Sequence, residues 1–174
     1  MLTALLVVPL LASDDATRGD DSRPAPGSHP GPVPISEDGA PLLDAQEVDI
    51  EGAMTATPYQ LPVPPTNEVT GARTAIWIDA NHQVAFTWDS GLRLYVDRLH
   101  DLTPAVAHAT WTRKAAGGDG TLVVVRGVPG IAREARDGEP ASLTLIENGL
   151  SIQFVGPDVT VKQLVALAEE LEYE

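Results

Sequence analysis

The chain has 174 residues, of which 25 are acidic and 11 basic, giving a formal net charge of -14 at pH 7, and it contains no cysteine. This length suits one domain with a substantial core plus some non-globular sequence. The acidic surface repels phosphate backbones and anionic lipid headgroups, which argues against nucleic acid as a partner. The absence of cysteine excludes disulfides, thiolate metal sites and cysteine nucleophiles.

The N-terminal segment, residues 1–12, reads MLTALLVVPLLA and precedes the acidic stretch SDDA. Such an apolar run is typical of a signal peptide, and it is shorter than the ~20 residues that cross a bilayer. No Lys or Arg precedes the run, and Leu10 stands where a small residue is preferred before cleavage after Ala12. We expect an export signal or the stump of one, with a short buried or disordered tail as the alternative. The protein would then work outside the cytoplasm, with no stable membrane insertion beyond that N-terminal signal or anchor.

Residues 13–46 are rich in proline and glycine and contain no aromatic residue. Such a segment cannot bury enough apolar surface to offset the entropy of ordering, so we expect a disordered, partly polyproline, acidic spacer. It would hold a folded module away from a membrane or cell wall, or it would be a simple disordered tail. A single domain is expected over residues 47–174, and the proline-rich passage Thr57–Glu68 is interpreted as its entrance.

Three stretches with period-two alternation follow, at residues 74–79, 83–88 and 92–97. Each presents one apolar face, as half-buried antiparallel strands do. The connections ANH and DSG supply the Asn, Asp and Gly that tight turns need. We expect a three-stranded meander, followed by a helix over residues 104–115 with Thr103 as its N-cap.

The second half of the predicted domain repeats this plan. GTLVVVRG predicts a buried strand, and GIAREAR (residues 130–136) predicts a partly polar edge strand that can pair with a partner, its charges arguing against self-association. ASLTLIENGLSIQFV predicts a hairpin that turns at Asn148 and Gly149. Thr160 with Gln163 predicts a capping box at the start of a C-terminal helix.

The similarity of the two halves indicates a duplicated unit. Gly91 aligns with Gly149, and Thr103 aligns with Thr160. Chance similarity between two hairpin-then-helix patterns is the alternative. We expect an α+β fold whose mostly antiparallel sheet is built from two meander-plus-helix units, with the helices packed on the sheet.

Three motifs follow one another toward the C-terminus: VRGVPG, LTLIENGLSIQF and VTVKQLVALAEEL. In this order they resemble the C-terminal part of a family of extracytoplasmic bacterial domains of unknown function, the DUF4367 type. Leu145 stands where that family commonly has Trp, and Phe154 where it has Tyr. The resemblance implies a module exposed outside the membrane, in some relatives attached to membrane-bound regulators or lipoproteins, with no established catalysis.

Aromatic residues concentrate in the first half of the predicted domain. If Trp77 and Tyr95 point away from the sheet face of Phe86 and Trp88, they lie on the outer face, where exposed aromatic side chains can mark a binding groove. Trp77, Tyr95 and Trp111 are therefore candidate ligand-binding residues. The alternative is that helices cover both faces and that all of these side chains belong to the core.

Carboxylates and imidazoles come closest together in the stretch DRLHDLTPAVAH. Asp97, His100 and His108 are candidate ligands of a divalent metal, with a solvated loop as the alternative. A metal-dependent or carboxylate hydrolase centred on Asp97 and His100 would require these groups to converge with Asp79 or Glu134 in a cleft. No serine-nucleophile elbow or phosphate-binding loop accompanies them.

The lack of a catalytic motif and the export-like start favour a non-enzymatic exported or cell-envelope module, a sensor or binding domain without a cofactor. Its partner is expected to be a protein or a small apolar or cell-wall ligand. The hydrolase centred on the Asp97 and His100 region is the alternative interpretation.

Overall fold

The computed structural model describes residues 44–99 and 103–174. In these ranges the elements in chain order are β1 (Gln46–Val48), α1 (Ile50–Ala56), β2 (Pro62–Val63), β3 (Arg73–Ile78), β4 (Val84–Trp88), β5 (Arg93–Arg98), α2 (Pro104–Ala116), β6 (Thr121–Val125), β7 (Val128–Arg133), β8 (Ala141–Glu147), β9 (Leu150–Gly156), α3 (Val161–Glu169) and β10 (Glu172–Tyr173). The pairs between these strands are antiparallel. The predicted α+β fold with a mostly antiparallel sheet is confirmed. The signal-like segment, most of the predicted spacer and His100 lie outside the described residues.

The main sheet of the described residues has eight strands in the order β1-β3-β4-β5-β9-β8-β7-β6. β3, β4 and β5 form one meander, and β6, β7, β8 and β9 form another. The two meanders meet at the β5–β9 pair, which runs from Arg93 opposite Val155 to Arg98 opposite Leu150. The two halves of the domain therefore share one continuous sheet.

One face of this sheet, here called the inner face, carries the main core. Phe86 of β4, Leu94 of β5 and Phe154 of β9 are cross-strand partners, so their side chains lie side by side on it. All three are fully buried, in one cluster with Ala53 of α1 and Leu164 of α3. Complete burial of one such large apolar side chain contributes about 1.5–3 kcal/mol. This layer is therefore a principal source of the domain's stability.

The opposite face of the sheet, here called the outer face, is covered in part by α2. Trp111 and Ala107 of this helix pack with Ile131 and Ile146, which point outward from β7 and β8. Trp111 is only 7% exposed. Helices therefore pack on both faces of the sheet, α1 and α3 on the inner face and α2 on the outer face.

The predicted helix starts are confirmed. The Thr103 side chain accepts a hydrogen bond from the Val106 N–H at the start of α2. Thr160 and Gln163 form the expected capping box at the start of α3. Each cap satisfies a backbone N–H that has no partner within its helix. No helix in the described ranges is long and apolar enough to cross a membrane.

Two strand predictions are wrong about position in the sheet. The strand predicted to be buried, β6, lies at an edge, with Leu122 39% and Val124 69% exposed. The strand predicted to be an edge, β7, lies between β6 and β8 and is buried from Gly130 to Ala132. Sequence periodicity reports the faces of a single strand, whereas an edge position depends on which strands lie beside it.

Four short elements, β1, α1, β2 and β10, have no counterpart in the sequence prediction. Asp49 caps α1, and its carboxylate accepts a hydrogen bond from the Gly52 N–H at 2.7 Å. β2 and β10 have two residues each, which is too short for a periodic pattern. Their pairing places Pro62 opposite Tyr173, so the proline-rich passage also holds the C-terminal strand.

Candidate ligand-binding site

A pocket of about 600 Å³ opens at one end of the β5–β9 pair. Its charged lining residues are Arg93, Arg136, Asp137 and Glu139, and its apolar lining includes Pro140, Val155 and Pro157. The volume lies within the range of about 300–1,000 Å³ that is usual for small-molecule sites. A pocket with these dimensions and this mixed lining can hold a small amphipathic ligand.

The strands place two of these side chains on the outer face. Arg93 and Val155 are cross-strand partners, and the next pair along, Leu94 and Phe154, points to the inner face. Because successive side chains alternate between the two faces, Arg93 and Val155 point outward. Gly91 precedes Arg93 with a φ of +79°, and a Cβ at this glycine would lie 3.2 Å from the Pro157 side chain. Glycine thus allows the two walls of the pocket to approach each other.

The loop between β7 and β8 forms the rim of the pocket. Arg136 and Glu139 exchange backbone hydrogen bonds of 3.1 and 2.8 Å. The two residues between them, Asp137 and Gly138, have φ values of +50° and +86°. Two positive φ values in a two-residue connection are the mark of a type I′ turn. This small hairpin sets the Arg136 and Glu139 side chains opposite each other at the rim.

Arg93 is the charged residue in the pocket that is best placed to bind a ligand. It is half-buried, whereas Arg136, Asp137 and Glu139 are exposed. Within the described residues, its side chain forms no ion pair and no hydrogen bond. A guanidinium carries several N–H donors in a planar arrangement that matches a carboxylate. The pocket therefore offers a cation that has no side-chain partner among the described residues, next to an apolar surface.

The predicted aromatic pair lies beside this pocket on the outer face. Trp77 is opposite Ala85, and Ala85 is opposite Tyr95, so the three form one row across β3, β4 and β5. They form a cluster with Val155, which also lines the pocket. Tyr95 is 5% exposed and Trp77 is half-buried. The structure brings Trp77 and Tyr95 together, whereas Trp111 belongs to the separate cluster under α2.

The described metal-ligand candidates lie apart from this pocket. Asp97 is in β5, and His108 is an exposed residue of α2. The described residues contain no group of three or more His, Asp or Glu side chains that could hold a metal ion. Glu134 accepts a hydrogen bond from the Val161 N–H at 3.3 Å, at the start of α3. Asp79 accepts hydrogen bonds of 2.8 Å from two backbone N–H groups of the β3–β4 turn. Both carboxylates therefore have structural partners.

The hydroxyl of Tyr59 lies close to two of these acids. Burial raises the pKa of this hydroxyl, and the negative charges of Asp97 and then Asp79 raise the pKa further. The hydroxyl donates a hydrogen bond of 2.6 Å to the backbone C=O of His82. Tyr59 therefore remains protonated and ties the segment after α1 to the β3–β4 turn.

A second polar cluster joins the C-terminal strand to two turns of the sheet. Arg126, in the β6–β7 turn, pairs with Glu147 and donates a hydrogen bond of 3.0 Å to the C=O of Leu171. The Tyr173 hydroxyl donates to the same Glu147 carboxylate. Burial raises the pKa of Tyr173, and its hydrogen bond to Glu147 raises the pKa further. Since these groups satisfy one another, we assign the cluster a structural role.

Arg93 and Arg136 are site residues that the sequence analysis misses. The dipeptide DG between Arg136 and Glu139 is a readable signal for the rim hairpin. Arg93 precedes Tyr95 by two residues, so the same alternation that places Tyr95 on the outer face also places Arg93 there. Comparison with known protein families, curated proteins and solved structures finds no match for this chain.

Proposed function

We propose that this protein is a non-enzymatic binding module, a sensor domain that takes a small amphipathic ligand bearing a carboxylate into the pocket at Arg93. One observation carries the proposal: a half-buried arginine without a side-chain partner among the described residues faces a pocket of about 600 Å³. A charge held out of bulk water is stabilised when an opposite charge binds to it.

The lining of the pocket defines the ligand class. The Arg93 guanidinium binds a carboxylate through paired hydrogen bonds, and Val155 with Pro157 offers an apolar surface to the body of the ligand. The exposed charges at the rim are Arg136, Asp137 and Glu139, so the rim carries one net negative charge and favours an amine over a second negative charge. The ligand is therefore a short peptide or a peptide-like cell-wall fragment with a free carboxylate, an aliphatic body and an amino group.

The setting of this function is the bacterial cell envelope. The apolar segment at residues 1–12 and the proline-rich acidic spacer at residues 13–46 support export and tethering. The order of the C-terminal motifs supports a relationship to the DUF4367 type of extracytoplasmic domain. The tether would present the pocket to the space outside the membrane.

We also infer that the domain consists of two related meander-plus-helix units. The β4–β5 and β8–β9 hairpins each contain a turn glycine of positive φ, Gly91 at +79° and Gly149 at +76°. Each hairpin leads to a helix with a threonine N-cap. The helices differ in placement, because α2 packs on the outer face and α3 on the inner face.

A titration with the peptide Lys-Ala-Ala tests the ligand class, with backbone amide NMR shifts of the isotope-labelled full chain as the measurement. We expect shifts at Gly91, Arg93 and Val155. The Arg93→Gln variant should bind the peptide about tenfold more weakly or worse, which corresponds to about 1.4 kcal/mol. Arg98→Gln is the matched control, because Arg98 lies on the same strand and is not among the lining residues.

The C-terminal amide of the same peptide supplies the chemical control. It lacks the carboxylate. Its affinity for the wild-type protein should be lower than that of the free acid by about the same factor by which the Arg93→Gln substitution lowers the affinity of the free acid. Equal binding of acid and amide, or shifts that avoid the pocket, would contradict the proposal.

A further inference from the structure

The edge of the sheet at β6 has no neighbouring strand among the described residues. Its five residues read TLVVV and carry no charge and no proline. The opposite edge strand, β1, has three residues and includes Glu47. Natural sheets guard their edges with charge, proline or short strands, because an open edge pairs readily with another strand. β6 has none of these protections.

The turn between β6 and β7 determines which N–H and C=O groups of β6 point away from the sheet. Arg126 and Gly127 have φ values of +51° and +81°, which makes a type I′ turn between Val125 and Val128. Such a turn closes on a hydrogen-bonded pair, and hydrogen-bonded pairs alternate with non-bonded pairs along an antiparallel ladder. The pairs after Val125–Val128 are Val124–Pro129 and Val123–Gly130. The N–H and C=O groups of Val124, and by the same alternation those of Leu122, therefore point outward from the edge.

The same two residues also expose their side chains. Leu122 is 39% and Val124 is 69% exposed. Both lie on the outer face, because Leu122 pairs with the outward-facing Ile131 and Val124 is two residues further along the strand. In the part of the chain that the structure describes, this edge thus presents backbone groups without partners and uncovered apolar side chains at the same two positions.

We propose that β6 is a self-association edge and that it pairs with β6 of a second copy of this chain. An antiparallel arrangement with its two-fold axis at Val123 sets Leu122 of each copy opposite Val124 of the other. The outward N–H and C=O groups of both residues then find partners across the axis, because both members of each pair point outward. The apolar side chains of Leu122 and Val124 also meet across the interface on one face.

The charges at the ends of the strand are compatible with this arrangement. The axis brings Arg126 of one copy opposite Gly120 of the other, next to Asp119, so residues of opposite charge are neighbours at each end. Within its own copy, Arg126 is paired with Glu147, and Asp119 is paired with Arg133. No like charges face each other along the paired strands.

The proposed β6–β6 interface is small, so we expect the affinity between the two copies to be low. A five-residue edge buries less surface than the ~1,200 Å² of a stable complex. The formal net charge of -14 on each copy opposes association over longer distances. Dimerisation should therefore be weak and should depend on protein concentration.

Sedimentation velocity of the full chain between about 10 μM and about 1 mM tests the proposal. The weight-average mass should rise from 18.4 kDa toward twice that value. Val124→Lys places a charge at the edge, and Val124→Pro removes an outward N–H, which an edge strand tolerates. Each should weaken dimerisation at least about tenfold. Val106→Lys is the control, because Val106 is 52% exposed and lies on α2.

Amide hydrogen exchange separates this edge from any other interface. The N–H groups of Leu122 and Val124 should become protected as the concentration of the wild-type protein rises. A monomer at the highest concentration would overturn the proposal. A dimer that both Val124 variants retain, or one that forms without protection of these two N–H groups, would also overturn it.

Discussion

Tyr59 and Tyr173 connect separate parts of the chain through protonated hydroxyls. Tyr59 donates to the His82 C=O, and Tyr173 donates to Glu147. The pKa of each hydroxyl is raised, in both cases chiefly by burial. An unfolded chain would expose both groups to water and restore their ordinary pKa of about 10. These two residues therefore make the stability of the domain sensitive to alkaline pH.

The sign of this dependence follows from the raised pKa. Below about pH 10 both hydroxyls are protonated in the folded and unfolded states, and the full stability is present. Above that pH the unfolded state loses protons that the folded state retains, so the free energy of unfolding falls. Tyr59→Phe should give a shallower fall between about pH 10 and about pH 11.5, measured by urea unfolding. Parallel pH profiles for Tyr59→Phe and wild type would contradict this assignment.

At the scale of single elements, local signals predict the β3–β4, β4–β5 and β8–β9 hairpins and the two longer capped helices, α2 and α3. The turn at Asn148 and Gly149 and the capping box at Thr160 depend on residues a few positions apart, so a sequence window contains the whole signal. The position of β6 at an edge depends on strand order, which no window contains. The same holds for the pocket, because Arg93 and Arg136 come together only through the β5–β9 and β8–β9 pairs.

The contact between β7 and β8 gives a test at this scale. A Cβ added at Gly130 of β7 would lie 2.4 Å from the Leu145 side chain and 2.8 Å from the Thr144 C=O. Since the second neighbour is backbone, the strands must shift, and Gly130→Ala should lower the free energy of unfolding by about 1–3 kcal/mol in a urea titration.

Gly117→Ala is the matched control for that substitution. At Gly117 a Cβ would meet nothing closer than 3.4 Å, so the change should be within about 0.5 kcal/mol of neutral or slightly stabilising. If the two variants were equally stable, the close approach of β7 and β8 at Gly130 would be wrong.

At the scale of the whole molecule, the proposed location in the cell envelope can be tested directly. Intact-mass analysis of the N-terminus in the native host should find, in the external fraction, a chain that begins at or near Ser13. Such a result would support a tethered module outside the membrane. A chain that retains Met1 in the cytoplasm would contradict export and would remove the cell-wall fragments from the candidate ligands.

The central β5–β9 pair also has a consequence for the speed of folding. Its partners, such as Arg93 and Val155, are far apart in the sequence, whereas the partners within each hairpin are close. Closing the long loop between β5 and β9 costs conformational entropy before any stabilising contact between the two strands forms. The two meanders can therefore form early, but neither completes the inner face until β5 and β9 join. Assembly of the middle of the sheet should be the slow step by which the chain reaches its native state.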